Sequence, residues 1–187
     1  MKRTILALLS LACCQFVSAQ QQEPAKTASP SQSSAAQTAE PALAPFQKNP
    51  IIPPFRLLKL DSTSYLTKED LKKHRLTMIM FFSPDCDHCK HQTEAILAEE
   101  NKFKDIEIVM ATFQPFEDMK NFNTHYRIFE HPNFKIGRDE KFFLVPFYRI
   151  RNLPYLALYD KNGNLITTFE GTQKAETILK AFQQKKA

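Results

Sequence analysis

Two of the chain's four cysteines are spaced to act together, in Cys86-Asp87-His88-Cys89. They follow an almost continuous apolar run, Leu76 to Phe82, that Ser83-Pro84-Asp85 breaks, and they open a stretch with helical character to about Asn101. A thiol in the first turn of a helix meets free backbone N–H groups and the positive end of the helix dipole, and both favour a thiolate. Cys86 is therefore expected to be the attacking sulfur. Cys89, one turn on and on the same face, can attack a mixed disulfide formed on Cys86 and release it. The chemistry is two-electron thiol-disulfide exchange through a redox-active Cys86–Cys89 disulfide, and it requires no cofactor. A protonated His88 would favour the thiolate, whereas the charge of Asp87 would oppose it.

Other uses of the same residues give rival readings. A purely structural Cys-x-x-Cys bridge closes so short a loop that it constrains the unfolded chain little. Copper or zinc could draw on Cys86, Cys89, His88, His91, His125 and His131, although none of these histidines sits at a diagnostic spacing and no metal ligand set is assigned. A metal-binding carrier and a non-catalytic interaction module stay open as alternatives.

The pair needs a scaffold, and 187 residues allow one medium-sized core with something left over. Leu76 to Phe82 is short, apolar and suited to a strand buried on both faces, and Ile106 to Phe113 reads as a second core strand. Earlier, Phe55 to Leu60 reads as a strand and Thr67 to Lys73 as a short helix. After Pro115, Met119, Phe122, Tyr126 and Phe129 form an apolar stripe at helical spacing, expected to pack in the core. The segment containing Pro132, Gly137 and Pro146 carries no clear pattern. Pro154 to Tyr159 and Asn164 to Glu170 should pair antiparallel about Asn162-Gly163, where both residues tolerate positive φ. Ala175, Ile178, Leu179 and Phe182 mark one face of a closing helix. This order predicts an α/β fold, a mixed central sheet with helices on both faces.

What precedes the scaffold looks like export machinery. Lys2 and Arg3, an apolar run from Ile5 to Val17 and Val17-Ser18-Ala19 have the grammar of a secretory signal peptide, expected over residues 1–19. The run falls short of the ~20 residues that span a bilayer. Cleavage after Ala19 is preferred to lipidation at Cys13, because Ser10 stands where a lipoprotein signal wants an aliphatic residue; membrane attachment is expected only if Cys13 is lipidated. Residues 20–50, rich in Gln, Ala, Ser and Pro, read as a disordered linker, leaving 51–187 as the domain. Losing Lys2 and Arg3 lowers the net charge of +5 to +3, too mild to argue for nucleic acid. Lys72-Lys73-His74-Arg75 reads as the solvated end of a helix. The expected location is periplasmic or otherwise exported.

Phe81-Phe82-Ser83-Pro84-Asp85-Cys86-Asp87-His88-Cys89-Lys90 resembles the strand, loop and helix start of a thioredoxin-fold active site. Leu153-Pro154-Tyr155-Leu156-Ala157-Leu158-Tyr159-Asp160-Lys161-Asn162-Gly163 is similar to that family's proline, strand and turn. The resemblance covers about 53–185 and is nearest to the exported TlpA/ResA-like branch of thiol-disulfide oxidoreductases. It implies a thioredoxin-like three-layer fold, Cys86 as nucleophile and Cys89 as resolving thiol. It also implies a cis Pro154 facing the cysteines and shaping a groove where a partner peptide pairs with the backbone of Leu153. The implied partners are exported proteins bearing thiols or disulfides, cytochrome-maturation components among them, with a membrane electron donor and the chain acting as a reductase. The chain departs from the family in two ways. Asp85 replaces the aromatic often found before the first cysteine, and Met80 replaces the buried acid six residues before it, leaving Asp85, Glu107 and Asp139 as open candidates for proton handling. Ser83 stands where a peroxiredoxin has threonine, so peroxidase activity is not expected.

Overall fold

The computed structural model describes residues 43–184. The expected signal peptide, the Cys13 site and most of the expected linker lie outside the described residues. Among those described, seven strands form one sheet: β1 (Arg56–Leu58), β2 (Tyr65–Thr67), β3 (Leu76–Phe81), β4 (Ile106–Thr112), β5 (Phe134–Arg138), β6 (Tyr155–Tyr159) and β7 (Leu165–Glu170). Their order across the sheet is β2-β1-β5-β4-β3-β6-β7. The central three, β5, β4 and β3, run parallel, while β6 pairs antiparallel with both β3 and β7. Around the sheet lie α1 (Pro45–Lys48), α2 (Asp87–Ala98), α3 (Glu100–Phe103), α4 (Phe116–His125), α5 (Leu144–Tyr148) and α6 (Ala175–Gln183).

Alternation along the central strands explains the layers, since successive side chains of a strand point to opposite faces. Met78, Met80 and Phe82 pack with Ile96 of α2, Met119 and Phe122 of α4, and Ile178 and Ala181 of α6. Ile79 and Phe81 pack on the other face with Phe55, Leu57, Leu144 and Tyr148, and Phe46 of α1 leans on the same cluster. The largely apolar β3 is thus covered on both sides, and the three-layer α/β architecture is the one anticipated. The hairpin also forms as expected: Asp160 accepts the N–H groups of Asn162 and Asn164, each at 2.8 Å, and Gly163 takes φ +79°.

Four local expectations are corrected. The helix expected over Thr67 to Lys73 is the end of β2 followed by one 3-10 turn, Lys68–Asp70. The Asp70 carboxylate folds back onto the N–H and hydroxyl of Thr67 (2.8 and 3.0 Å), and Leu71 leaves in extended backbone, so nothing propagates a helix. Lys72 to Arg75 accordingly form a bend into β3, with His74 at φ +58°. Second, the fold begins before residue 51. Ala44 is buried, the Phe46 ring centroid lies 5.8 Å from that of Tyr148, and the Pro50 carbonyl accepts the N–H of Leu165 at 2.7 Å. Third, the stripe on α4 ends early: the helix stops at His125, Arg127 turns left-handed, and Ile128 enters the core while Phe129 is 63% exposed. Fourth, the patternless segment contains β5, and its Lys135 reaches the fully buried Glu107 at 2.9 Å.

Gly137 shows how closely β1 lies on β5. A Cβ built there would stand 2.7 Å from Leu57 Cβ and 3.1 Å from the Leu58 carbonyl oxygen. Gly137→Ala should therefore destabilise the fold by about 1–3 kcal/mol in urea unfolding, the usual cost of overpacking. An unchanged midpoint would mean that β1 moves away freely.

Candidate active site

β3 carries the chain to one end of the sheet, where Ser83 to Asp85 turn it into α2. The Cys86 N–H donates to the Ser83 carbonyl at 3.1 Å, and the Cys86 carbonyl accepts from Cys89 and Lys90, each at 3.0 Å. Cys86 thereby caps α2 in extended backbone (φ −80°, ψ 114°), and its Sγ accepts the N–H of Cys89 at 3.3 Å. A sulfur here takes the place of the Ser, Thr or Asp oxygen that usually satisfies a free N–H at a helix start. The bond strengthens when the acceptor is charged, so the cap works best with a thiolate. Both cysteines are free thiols; Cys86 is half-buried and Cys89 fully buried.

Burial, then the contact with Cys86, pushes the Cys89 thiol well above its ordinary range. The two sulfurs of one motif are thus held differently, one at a helix cap and one behind it among Met80, Phe82 and Ile96. The buried side of α2 is Cys89, Gln92, Thr93 and Ile96, spaced i, i+3, i+4, i+7. Two of these are polar, so the buried face does not stand out in the sequence as an apolar stripe. Gln92 Oε1 accepts the Gln173 N–H at 2.6 Å, the Thr172 hydroxyl donates to the His88 carbonyl at 3.3 Å, and the Thr93 hydroxyl donates to the Cys89 carbonyl at 2.9 Å. The first two fix the first turns of α2 to the loop before α6, and the third lies within the helix. Gln92, Thr172 and Gln173 were missed from the sequence, and only the helical spacing from Cys89 to Gln92 signals any of them.

Asp87 and His88, the residues expected to tune Cys86, lie on the outside. Asp87 is exposed and 3.0 Å from Lys90 Nζ; this bond holds its carboxyl below the usual range and the Lys90 ammonium above it. The negative charge expected to oppose a thiolate at Cys86 is therefore paired, and Lys90 is the cation that sequence reasoning omitted. His88 is exposed, and its carbonyl is the group anchored.

The Leu153–Pro154 bond is cis. Register places it: Phe81 of β3 faces Tyr155 of β6, so Pro154 lies at the end of the sheet from which the cysteine loop leaves. Its carbonyl accepts the Gly171 N–H at 2.8 Å. Leu153 is half-buried and touches both core clusters. Among the described residues its backbone makes no hydrogen bond.

The three candidate acids separate. Asp85 is exposed beside Cys86. Asp139 is buried, but its carboxylate accepts the Leu144 N–H at 2.8 Å at the start of α5, on the other face of the sheet. Glu107 pairs in register with Thr77, four strand residues or about 13 Å from the end of β3 that leads to Cys86. The histidines also disperse: His131 Nδ1 lies 2.7 Å from Glu100, and His125 packs edge-on against Tyr126. Among the described residues no three His, Cys, Asp or Glu side chains are placed to share a metal ion, and no helix is long and apolar enough to cross a membrane.

A family model described as thioredoxin-like domain matches residues 66–186, more than half of the chain. The chain belongs to the thioredoxin-like domain family. Solved structures agree on the fold. A secreted Mycobacterium tuberculosis disulfide oxidoreductase homologous to E. coli DsbE is 14% identical and covers 70% of this chain and 95% of its own, with TM-score 0.58. MTB DsbF is 16% identical over 70% and 93%, with TM-score 0.59. StoA from Bacillus subtilis is 18% identical over 68% and 94%, with TM-score 0.53. No curated protein matches the sequence.

Two predictions follow from the thioredoxin-like site. Iodoacetamide at neutral pH should consume Cys86 and leave Cys89 intact in the folded, reduced protein, as peptide mass mapping would read; equal labelling would remove the distinction between the sulfurs. The second concerns stability. Once unfolded, Cys89 titrates near 8.5, whereas the fold keeps it a thiol, so above that pH the unfolded state has lost a proton that the folded state retains. Stability of the reduced protein should be indifferent to this group below about pH 8 and fall above 8.5, by up to ~1.4 kcal/mol per pH unit. Cys89→Ala should remove that slope between pH 8.5 and 10. The buried tyrosines Tyr148, Tyr155 and Tyr159, whose hydroxyls burial also pushes upward, join in only beyond about pH 10.

Proposed function

We propose that this chain is an exported thiol-disulfide oxidoreductase that reduces disulfides in other exported proteins. The observation that carries the reading is the asymmetric pair: Cys86 half-buried at the helix cap with an N–H on its sulfur, and Cys89 buried one turn behind. The Cys86 thiolate attacks a substrate disulfide, forming a mixed disulfide and expelling one substrate sulfur as thiolate. Cys89 then loses its proton and attacks Cys86 Sγ, which breaks the mixed disulfide and forms Cys86–Cys89. The substrate gains two electrons and two protons, and the chain loses them. Restoring the dithiol requires a dithiol donor, for which a membrane electron carrier is the fitting class.

Leu153 and Pro154 line the approach in this reading, with the unbonded backbone of Leu153 pairing with the substrate's extended chain. The direction of electron flow rests on Cys89. Burial keeps it a neutral thiol, so the reduced pair gains no charge stabilisation at that sulfur, and a pair whose reduced form lacks such stabilisation is the more reducing. Similarity in fold to a secreted disulfide oxidoreductase supports the exported setting.

Insulin reduction by the purified chain tests the activity, and Cys86→Ser should abolish it. Cys89→Ser should instead accumulate a mixed disulfide through Cys86, whose partner mass spectrometry can identify. Partners that gain disulfides, with a potential at or above that of glutathione, would reverse the direction. Loss of trapping through Cys86 would end the exchange reading.

A further inference from the structure

The basic cluster Lys72-Lys73-His74-Arg75 has no part in the cysteine chemistry, and its surroundings differ from those of a solvated helix end. The bend that carries it faces the β6–β7 turn across a cleft of about 450 Å³. Lys68, Lys72, Lys73 and Arg75 line one side, and Lys161 comes from the other. The cleft sits at the start of β3 and the end of β6, beside Thr77 and Asp160. Cys86 follows the opposite end of β3, about 20 Å away along a six-residue strand.

Charge in the cleft is not balanced from within. Asp160 is the one carboxylate in the lining, and its oxygens are occupied by the N–H groups of Asn162 and Asn164 and by the Asn164 side chain (3.1 Å). Arg75 has an outside partner, Asp105 at 3.0 Å. Lys68, Lys72, Lys73 and Lys161 are exposed, and among the described residues none of the four has an ion-pair partner. Beside them the cleft is apolar: Ile52 and Leu71 form part of its wall, and Ile51 is 42% exposed. Cations lining the same cleft as an exposed aliphatic side chain match the two layers of a membrane surface, phosphate outside and acyl chain beneath.

We propose that this cleft docks on an anionic phospholipid surface, with its lysines on headgroup phosphates and Ile51 in the headgroup layer, so that the Cys86 end of the sheet points away from the bilayer. The contact is independent of lipidation and of the exchange chemistry. Each lysine near such a surface contributes about a fivefold gain in partitioning.

The test is cosedimentation of the full chain with phosphatidylcholine vesicles with and without phosphatidylglycerol. The apolar N-terminal run is present on both vesicle types, so the difference between them reports the charged contact. K72Q/K73Q/K161Q should lose that difference by tenfold or more. K120Q/K141Q/K174Q, which removes equal charge outside the cleft, should lose less than threefold. Both variants should keep the wild-type melting temperature and insulin-reducing activity, which separates this contact from the proposed enzymatic function. Equal losses in the two variants would reduce the effect to diffuse charge and overturn the proposal. So would an absence of phosphatidylglycerol dependence, including the case where calorimetry finds cleft-dependent binding of inorganic phosphate, which would assign the cleft to a soluble anion.

Discussion

The N–H of Cys89 donates to the sulfur of Cys86 at 3.3 Å, and much of the molecule is arranged around that bond. It exists only if α2 begins at residue 87, which requires the chain to leave β3 at Phe81 and turn within Ser83 to Asp85. β3 in turn can end there because β4 and β6 hold it from both sides, with Phe81 facing Ala111 and Tyr155. The same β6 register brings the cis Leu153–Pro154 bond to this end of the sheet. A strand shift of one residue would exchange the faces of every β3 side chain and move the helix start off the cysteine.

The helix is held from behind by polar groups. Gln92 and Thr93 occupy core positions; Gln92 accepts the Gln173 N–H and the Thr172 hydroxyl donates to the His88 carbonyl, which ties α2 to the loop before α6, while Thr93 bonds back to the Cys89 carbonyl within the helix. An apolar face would pack α2 against the sheet without fixing its rotation, because dispersion contacts have little directional preference. Hydrogen bonds do, so the ties to Thr172 and Gln173 fix the rotation of α2 and with it the direction in which its first turn presents the two sulfurs. Directional ties in the first turns of α2 therefore set how the capped pair is presented at the end of the sheet.

The elements legible in the sequence were those where one pattern dominated: β3 and β4 as largely apolar runs, the Asn162-Gly163 hairpin, the closing helix and the cysteine pair. What stayed hidden had patterns that tertiary contacts override. β5 contains a lysine that reads as surface but belongs with the buried Glu107, a pairing that no local window can see. The 67–73 stretch has helix-forming residues, yet Asp70 closes a local turn on Thr67. At the site, the cysteines and the proline could be named from the chain, whereas Gln92, Thr172 and Gln173 gain their place from contacts about 80 residues apart in sequence.

Proton handling follows from where the acids are. Met80, not an acid, packs with Cys89 in the core. The buried carboxylates belong to other contacts: Glu107 to Lys135, Asp139 to the start of α5. Among the described residues no buried carboxylate bonds to Cys89, so in the exchange proposed above its proton leaves on the Cys86 side, where the site opens to solvent. In the mixed disulfide the Cys86 sulfur is neutral, so the like-charge opposition that a Cys86 thiolate imposes on Cys89 is absent at the step where Cys89 must ionise. In the exchange proposed above, Cys89 is thus hardest to deprotonate in the resting dithiol and easier to deprotonate once a substrate is bound through Cys86. Placing both sulfurs on one helix turn, with one of them buried, supplies this order without an acid of its own.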